Sequence, residues 1–165
     1  MPLTLQGACR CGAVRFRCDS HTPVPYQRCY CSICRKTAGG GGYAINLGAD
    51  RATLQVDDPQ GAIGVFRADL CDPEGACELS TAERNFCVRC ATALWVFAPE
   101  WPALVHPFAS AIDSALPVPP ARVHVMLRFK PAWVRLTLGP GDVTFDLYPD
   151  LSLEAWHKAQ GLWVA

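Results

Sequence analysis

The chain has 165 residues, half of which are hydrophobic, and its fifteen basic residues balance fifteen acidic ones. This length suits one domain with a buried core, and the composition excludes a disordered chain. A net charge of zero argues against a nucleic-acid or anionic-membrane surface, since both need an excess of basic residues. No signal-peptide pattern begins the sequence, and no segment approaches about 18 uninterrupted apolar residues, so we expect a cytoplasmic protein.

A close pair of cysteines, Cys9 and Cys11, lies between two glycines near the start of the chain. Thiols stay reduced in the cytoplasm, so we interpret cysteines at such spacing as metal ligands before disulfides. Residues 14–18 then alternate apolar with basic side chains, which predicts a half-buried strand. Cys18 falls on the apolar face of this strand and is predicted to be a core residue.

A second cluster, Cys29, Cys31 and Cys34, has CxCxxC spacing and is followed by a basic pair and four glycines. The first two thiols leave the same face of an extended segment, and the last two have the spacing of a metal-binding turn. Three thiolates on one zinc leave the fourth position free, as in catalytic sites. The alternative is a structural site with a distant fourth ligand, for which the candidates are Cys18, Cys71, Cys77, His106 and His124.

A CxxC pair, Cys87 and Cys90, comes just before a predicted strand at residues 94–97. Together with the CxC pair at positions 9 and 11 it makes a four-thiolate set, which zinc closes tetrahedrally in structural sites. The spacing leaves open a pairing of the CxC with part of the middle cluster. Cys71 and Cys77 have no standard ligand spacing, so we interpret them as non-ligands, with a role as fourth ligands or as a redox pair as the alternative.

Short apolar segments punctuated by glycine and proline occupy most of the remaining chain. They predict strands at residues 43–47, 52–56, 63–67, 94–97, 104–108, 123–129 and 133–138. Alternation in the strand at 123–129 places His124 on the solvent side. Ser152 is a suitable N-cap for a short helix at residues 155–160, which Gly161 ends. We therefore predict one mainly β domain spanning residues 1–165, with a short C-terminal helix.

The ordered motifs GACRCGAVRF, CYCSICRK and FCVRC resemble the glutathione-dependent formaldehyde-activating enzyme (GFA) family, which has the Mss4-like fold. The resemblance continues through RVHV, PAWV and WH and covers nearly the whole chain. It implies two zinc ions per chain. The structural ion would be held by the outer cysteines, Cys9, Cys11, Cys87 and Cys90. The catalytic ion would be held by the middle cysteines, Cys29, Cys31 and Cys34.

Two positions differ from the usual pattern of this family. Tyr30 stands where the family usually has histidine, and Ala91 stands where it usually has glycine. If position 91 requires a positive φ, alanine costs about 1 kcal/mol there. Tyr30 is expected to offer a hydrogen bond to the substrate in place of the histidine.

The resemblance implies a carbon–sulfur lyase that acts on a small thiol adduct such as S-hydroxymethylglutathione, with glutathione as its small-molecule partner. Arg35 and Lys36 are candidates for substrate binding and for offsetting thiolate charge, and Gly40 for a close approach of the backbone. No nucleic-acid or membrane partner is expected. The alternative is a non-catalytic zinc-binding module that mediates protein interaction or, as in centromere protein V relatives, binds chromatin, although the neutral charge argues against chromatin.

Overall fold

The computed structural model describes all residues, Met1–Ala165, and is mainly β, as the sequence predicts. The helices are α1 (Ser32–Ala38) and α2 (Leu153–Ala159), and neither is long and apolar enough to cross a membrane. The strands are β1 (Leu3–Ala8), β2 (Arg15–Ser20), β3 (Gln27–Cys29), β4 (Ala44–Ile45), β5 (Ala49–Asp50), β6 (Gln55–Asp57), β7 (Ile63–Phe66), β8 (Asp69–Cys71), β9 (Cys77–Leu79), β10 (Glu83–Cys87), β11 (Ala93–Phe97), β12 (Leu104–Pro107), β13 (Val123–Val125) and β14 (Val143–Thr144).

The strands form three sheets and one separate hairpin. The sheets have the orders β1-β2-β6, β5-β12-β11-β10-β7 and β14-β13-β3-β4, and β8 and β9 form the hairpin. Pairing is antiparallel except at β13, which runs parallel to both β14 and β3. The predicted strand at residues 14–18 is confirmed as β2, in which Phe16 and Cys18 are buried.

The main hydrophobic core joins the sheet that contains β2 to the sheet that contains β11. Phe16 packs edge-on against Trp95, with ring centroids 5.1 Å apart. The same cluster of buried side chains contains Cys9, Cys34 and Cys87. The walls of the core therefore carry cysteines from all three motifs, and packing fixes the backbone around them.

A smaller core attaches α2 to the segment that precedes the middle cysteines. Trp156 of α2 stacks on Tyr26 with ring centroids 3.5 Å apart. His157 Nε2 accepts a hydrogen bond of 3.1 Å from the backbone N–H of Val24, and burial lowers the pKa of this imidazole. Ser152 caps the helix as predicted, because its hydroxyl oxygen accepts from the Ala155 N–H at 3.1 Å.

The predicted strand at residues 123–129 is wrong beyond Val125. Met126 adopts a left-handed conformation with φ +61°, and a 3-10 turn follows at Leu127–Phe129. The prediction that His124 faces solvent is also wrong, since its exposed fraction is 1%. Period-two alternation indicates one solvated face, but all three residues of β13 are buried, so both of its faces are covered.

Three other predicted strands differ from the structure. Residues 133–138 form no strand, because no neighbouring strand pairs with them and Trp133 remains exposed. The segment at 52–56 begins as a 3-10 turn, Arg51–Thr53, before β6, and the segment at 43–47 is reduced to β4. In these segments, residues with high β propensity therefore form a strand only where a partner strand is available for pairing.

Cys71 and Cys77 face each other in the β8–β9 hairpin and form a disulfide. They belong to neither cysteine cluster. They are therefore non-ligands, as their spacing predicts, and are paired with each other.

Candidate metal centres

The outer cysteines come together from two distant turns. Cys9 and Cys11 lie in the turn between β1 and β2, whereas Cys87 ends β10 and Cys90 lies in the turn before β11. The Sγ atoms of Cys9 and Cys11 are 3.5 Å apart, those of Cys11 and Cys87 are 3.8 Å apart, and all four lie within 4.8 Å of one another. Tetrahedral zinc with bonds of about 2.3 Å separates its sulfur ligands by about 3.8 Å, so the four thiols fit this ion.

Backbone hydrogen bonds hold the two turns of the outer cluster in place. The Val14 N–H donates to Cys9 Sγ at 3.3 Å, and the Arg10 N–H donates to the Thr92 hydroxyl oxygen at 3.0 Å, which ties one turn to the other. The Thr92 hydroxyl also lies 3.2 Å from Cys90 Sγ and lowers the pKa of that thiol to about 5. Thr92 therefore favours the thiolate form of Cys90, the form that a metal requires.

Ala91, in the turn of the second pair, has φ +59°. Position 91 therefore does require a positive φ, although its residue carries a Cβ. The left-handed conformation places a Cβ too close to the backbone carbonyl, whereas glycine adopts it freely. Alanine is therefore strained in this turn.

We expect Ala91→Gly to raise the free energy of unfolding by about 1 kcal/mol, because glycine removes this strain. Urea unfolding of the zinc-loaded variants measures the change. Ala76→Gly is the matched control: Ala76 is exposed in a turn and has no positive φ. It should gain nothing, since glycine there only adds entropy to the unfolded chain. Equal effects of the two substitutions would contradict the strain at Ala91.

The middle cysteines converge where β3 meets α1. Cys29 ends β3, Cys31 caps α1, and Cys34 lies in the first turn of the helix. Cys31 Sγ accepts a hydrogen bond of 3.3 Å from the Cys34 N–H. The three Sγ atoms lie within 4.8 Å of one another, again the spacing of ligands on one ion. Sequence analysis predicted the tight turn but not the helix that continues it.

No fourth protein ligand joins the middle cluster. The candidates from sequence analysis lie elsewhere: Cys18 is in the core, His106 Nδ1 contacts the Leu47 carbonyl oxygen at 3.1 Å, and His124 contacts Tyr30. Within the cluster, hydrogen bonds from Cys29 and Cys34 lower the pKa of the Cys31 thiol to about 2. The cluster therefore offers three ligand atoms to a metal ion.

Arg84 supplies a positive charge to this cluster. Its Nη2 lies 3.6 Å from Cys34 Sγ, and its Nη1 donates to the Thr37 hydroxyl oxygen at 3.4 Å. Arg84 makes none of the ion pairs found in the chain. Sequence analysis missed it and assigned this role to Arg35 and Lys36. No local pattern marks Arg84, because β10 brings it from fifty residues away.

Tyr30 points into a buried polar chain and not toward a substrate. Its hydroxyl is hydrogen-bonded to His124 Nδ1 at 2.9 Å, and the Tyr30 side chain is buried. His124 Nε2 lies 3.6 Å from Asp142 Oδ2, and the backbone N–H groups of Arg122 and Gly139 donate to the carboxylate of Asp142. Burial lowers the pKa of His124, which keeps the imidazole neutral. The expectation that Tyr30 donates to a substrate is therefore wrong. The buried polar network of Tyr30, His124 and Asp142 instead holds the backbone between Cys29 and Cys31.

Two cavities lie beside α1. The first, which we call the cationic cleft, has a volume of about 620 Å³ and lies between α1 and the turns of the outer cluster; its charged lining residues are Arg10, Arg35, Lys36 and Asp113. Gly40 also lines it, so the three candidate substrate-binding residues share one cavity. The second, which we call the aromatic pocket, has a volume of about 320 Å³ and contains Arg84. Thr37 and Ala93 line both cavities, so the two adjoin.

Comparison with known proteins gives concordant matches. The family model described as "Glutathione-dependent formaldehyde-activating enzyme" matches residues 4–126. A Halomonas elongata protein named "Putative glutathione-dependent formaldehyde-activating enzyme" is 56% identical over 160 residues, which is 97% of this chain and 98% of that protein. A crystal structure of a Rhodobacter sphaeroides protein has a similar fold, with a TM-score of 0.51 and 22% identity over 68% of this chain and 91% of that one.

The mainly β fold and the three cysteine motifs define a small cysteine-rich domain that could hold two metal ions. The extent of the family match and the identity to the Halomonas protein then decide the family. This chain belongs to the glutathione-dependent formaldehyde-activating enzyme family.

Proposed function

We propose that this protein is a zinc-dependent carbon–sulfur lyase that joins a small thiol such as glutathione to formaldehyde, or cleaves the adduct. The observation that carries the proposal is a cluster of three thiols without a fourth protein ligand, at the start of the helix whose Arg35, Lys36 and Thr37 line the cationic cleft. In this proposal residues 1–165 act as one cytoplasmic domain. Cys29, Cys31 and Cys34 hold the catalytic zinc, and the outer four cysteines hold a structural zinc.

The donor set of the middle cluster suits a catalytic metal. Zinc bound there would lower the pKa of a thiol at its fourth position and polarise a carbonyl group. Three thiolates around a divalent cation leave a net negative charge, which the guanidinium of Arg84 offsets at Cys34. Burial of Cys34 excludes water and strengthens this attraction.

The cationic cleft matches the charges of glutathione. Glutathione carries two carboxylates and one ammonium group, and the cleft offers Arg10, Arg35 and Lys36 together with the carboxylate of Asp113. Arg35 Nε is buried without a hydrogen-bond partner, so this guanidinium has a donor available for an anionic ligand. Thr37 lines the cleft one helical turn after Cys34, so a ligand in the cleft would lie beside the helix that carries this thiol.

The reaction balances without a redox step. The thiolate sulfur attacks the carbonyl carbon, the electron pair of the C=O bond moves to oxygen, and the oxygen takes a proton to give the S-hydroxymethyl adduct. Cleavage is the reverse. The residues that bind the carboxylates hold the sulfur beside the carbonyl carbon, which replaces a bimolecular encounter by an oriented one.

Glutathione binding tests the proposal directly. Cobalt in place of zinc reports thiolate coordination by its near-ultraviolet charge-transfer bands and its visible ligand-field bands, and calorimetry gives the affinity. We expect glutathione to perturb the bands at millimolar concentration, and Arg35→Met and Lys36→Met to weaken its binding about tenfold each, the loss of one charge-assisted contact.

Arg67→Met serves as the control, because Arg67 is exposed, pairs with Glu83 and lies outside the cleft. It should leave glutathione affinity unchanged. If no small thiol reaches the metal at millimolar concentration in the wild type, the lyase assignment fails. A non-catalytic zinc-binding module that contacts another protein then becomes the better description.

A further inference from the structure

The aromatic pocket is larger than formaldehyde requires. Its volume is about 320 Å³, whereas formaldehyde has only two heavy atoms. Three phenylalanines line it, together with Thr37, Ala93, Asn85 and Arg84. Phe108 is buried, and Phe66 is 45% exposed. A cavity of this size and lining favours a ligand with an apolar group.

Strand register places the charge and the rings on one face of the sheet. Phe66 of β7 is directly opposite Arg84 of β10, so their side chains leave the same face. Phe86 is two residues beyond Arg84 and shares this face. Gly64 is opposite Phe86, and a Cβ at Gly64 would lie 2.7 Å from the Phe86 ring. Glycine at this position therefore leaves room for the ring that lines the pocket.

Arg84 connects the aromatic pocket to the middle cluster. The guanidinium has five N–H donors, and its side-chain partners are Cys34 Sγ and the Thr37 hydroxyl. Because Arg84 forms no ion pair with a carboxylate, its charge is available to an oxygen in the pocket. Thr37 and Ala93 also line the cationic cleft, so a thiol compound held there and a carbonyl compound held in the aromatic pocket would meet beside Thr37, which shares Arg84 with Cys34.

We propose that the aromatic pocket is the subsite for the carbonyl partner, that Arg84 binds its oxygen, and that the pocket accepts aldehydes that carry an apolar group. This inference rests on the proposed function and adds the class of aldehyde. The thiolate sulfur forms a bond to the aldehyde carbon, and the C=O electron pair moves to the oxygen beside Arg84. The oxygen then takes a proton from solvent, since an arginine in a protein stays charged. A fixed cation at this developing alkoxide lowers the barrier.

Stable thioether analogues test the pocket without turnover. S-benzylglutathione and S-methylglutathione share the glutathione part and differ in the apolar group. Calorimetry with the zinc-loaded protein should give at least tenfold tighter binding of the benzyl analogue. Phe66→Ala should remove most of this preference while leaving glutathione affinity within threefold. Phe129→Ala is the matched control, because Phe129 is 44% exposed and lies outside the pocket.

Arg84→Met tests the second part of the inference. We expect it to lower kcat for adducts of both formaldehyde and phenylacetaldehyde at least a hundredfold, while S-benzylglutathione affinity stays within threefold. Cobalt spectra verify that the middle site still holds metal. If glutathione binds but the benzyl analogue binds no tighter than the methyl one, the aldehyde class is overturned and the lyase assignment stands. If glutathione itself does not bind, both are overturned. If Arg84→Met leaves kcat unchanged, Arg84 does not bind the aldehyde oxygen.

Discussion

Replacing Cys87 by serine is expected to destabilise the fold by several kcal/mol. Structural zinc contributes on the order of 10 kcal/mol to folding, since the site does not exist in the unfolded chain. Cys87 is fully buried, and with Cys90 it ties β10 to the turn between β1 and β2. Urea unfolding of protein purified without chelator gives the free energy, and metal analysis should find less zinc per chain than in the wild type.

Cys18→Ser is the control for this prediction, because Cys18 is equally buried but lies outside both clusters. A buried hydroxyl without partners costs about 1–3 kcal/mol. The Cys18 variant should keep two zinc ions and lose most of its stability when a strong chelator is added, as the wild type should. The Cys87 variant should respond less to chelator. A chelator response equal to that of the wild type would contradict a structural ion at Cys87.

Replacing Cys34 by serine is expected to lower the activity at least a hundredfold while the protein stays folded. Cys34 lies in the first turn of α1 and is one of only three candidate ligands at the middle cluster, so its loss leaves two. The outer cluster remains intact, and one zinc per chain should be retained. Metal analysis, circular dichroism and adduct cleavage measure these effects on one preparation.

Ser32→Ala controls for the helix itself, since Ser32 is exposed on α1 and contributes no ligand. It should retain both zinc ions and full activity. Thermal unfolding then compares the two cysteine variants. If Cys34→Ser loses as much thermal stability as Cys87→Ser, the division into a structural and a catalytic site is wrong.

Cysteine spacing predicted both clusters because ligand geometry is local in sequence within each motif. A tetrahedral zinc site needs four ligands, and each of two turns supplies two of them: Cys9 and Cys11, and Cys87 and Cys90. Counting ligands therefore predicted the long-range contact between these turns. Alternation likewise predicted β2, where one face meets the core and the other meets solvent.

Arg84 and His124 were beyond the reach of local pattern. Arg84 approaches Cys34 only because the sheet that contains β10 packs beside α1, and no spacing rule encodes that contact. His124 alternates with valines as a solvent-facing residue would, yet both faces of β13 are buried. The left-handed Met126 ends β13 within a run of β-forming residues, since the tertiary fold overrides propensity there.

The central place of β13 bears on how the chain folds during its synthesis. β3, which ends at Cys29, pairs with β13, and β13 pairs with β14, so this sheet is incomplete until the ribosome has made Thr144. About 115 residues separate Cys29 from Thr144, which at 5–20 residues per second takes roughly 6 to 23 s. The outer cluster is complete once Cys90 has emerged, whereas the middle thiols remain open to oxidants and to competing metals during this interval.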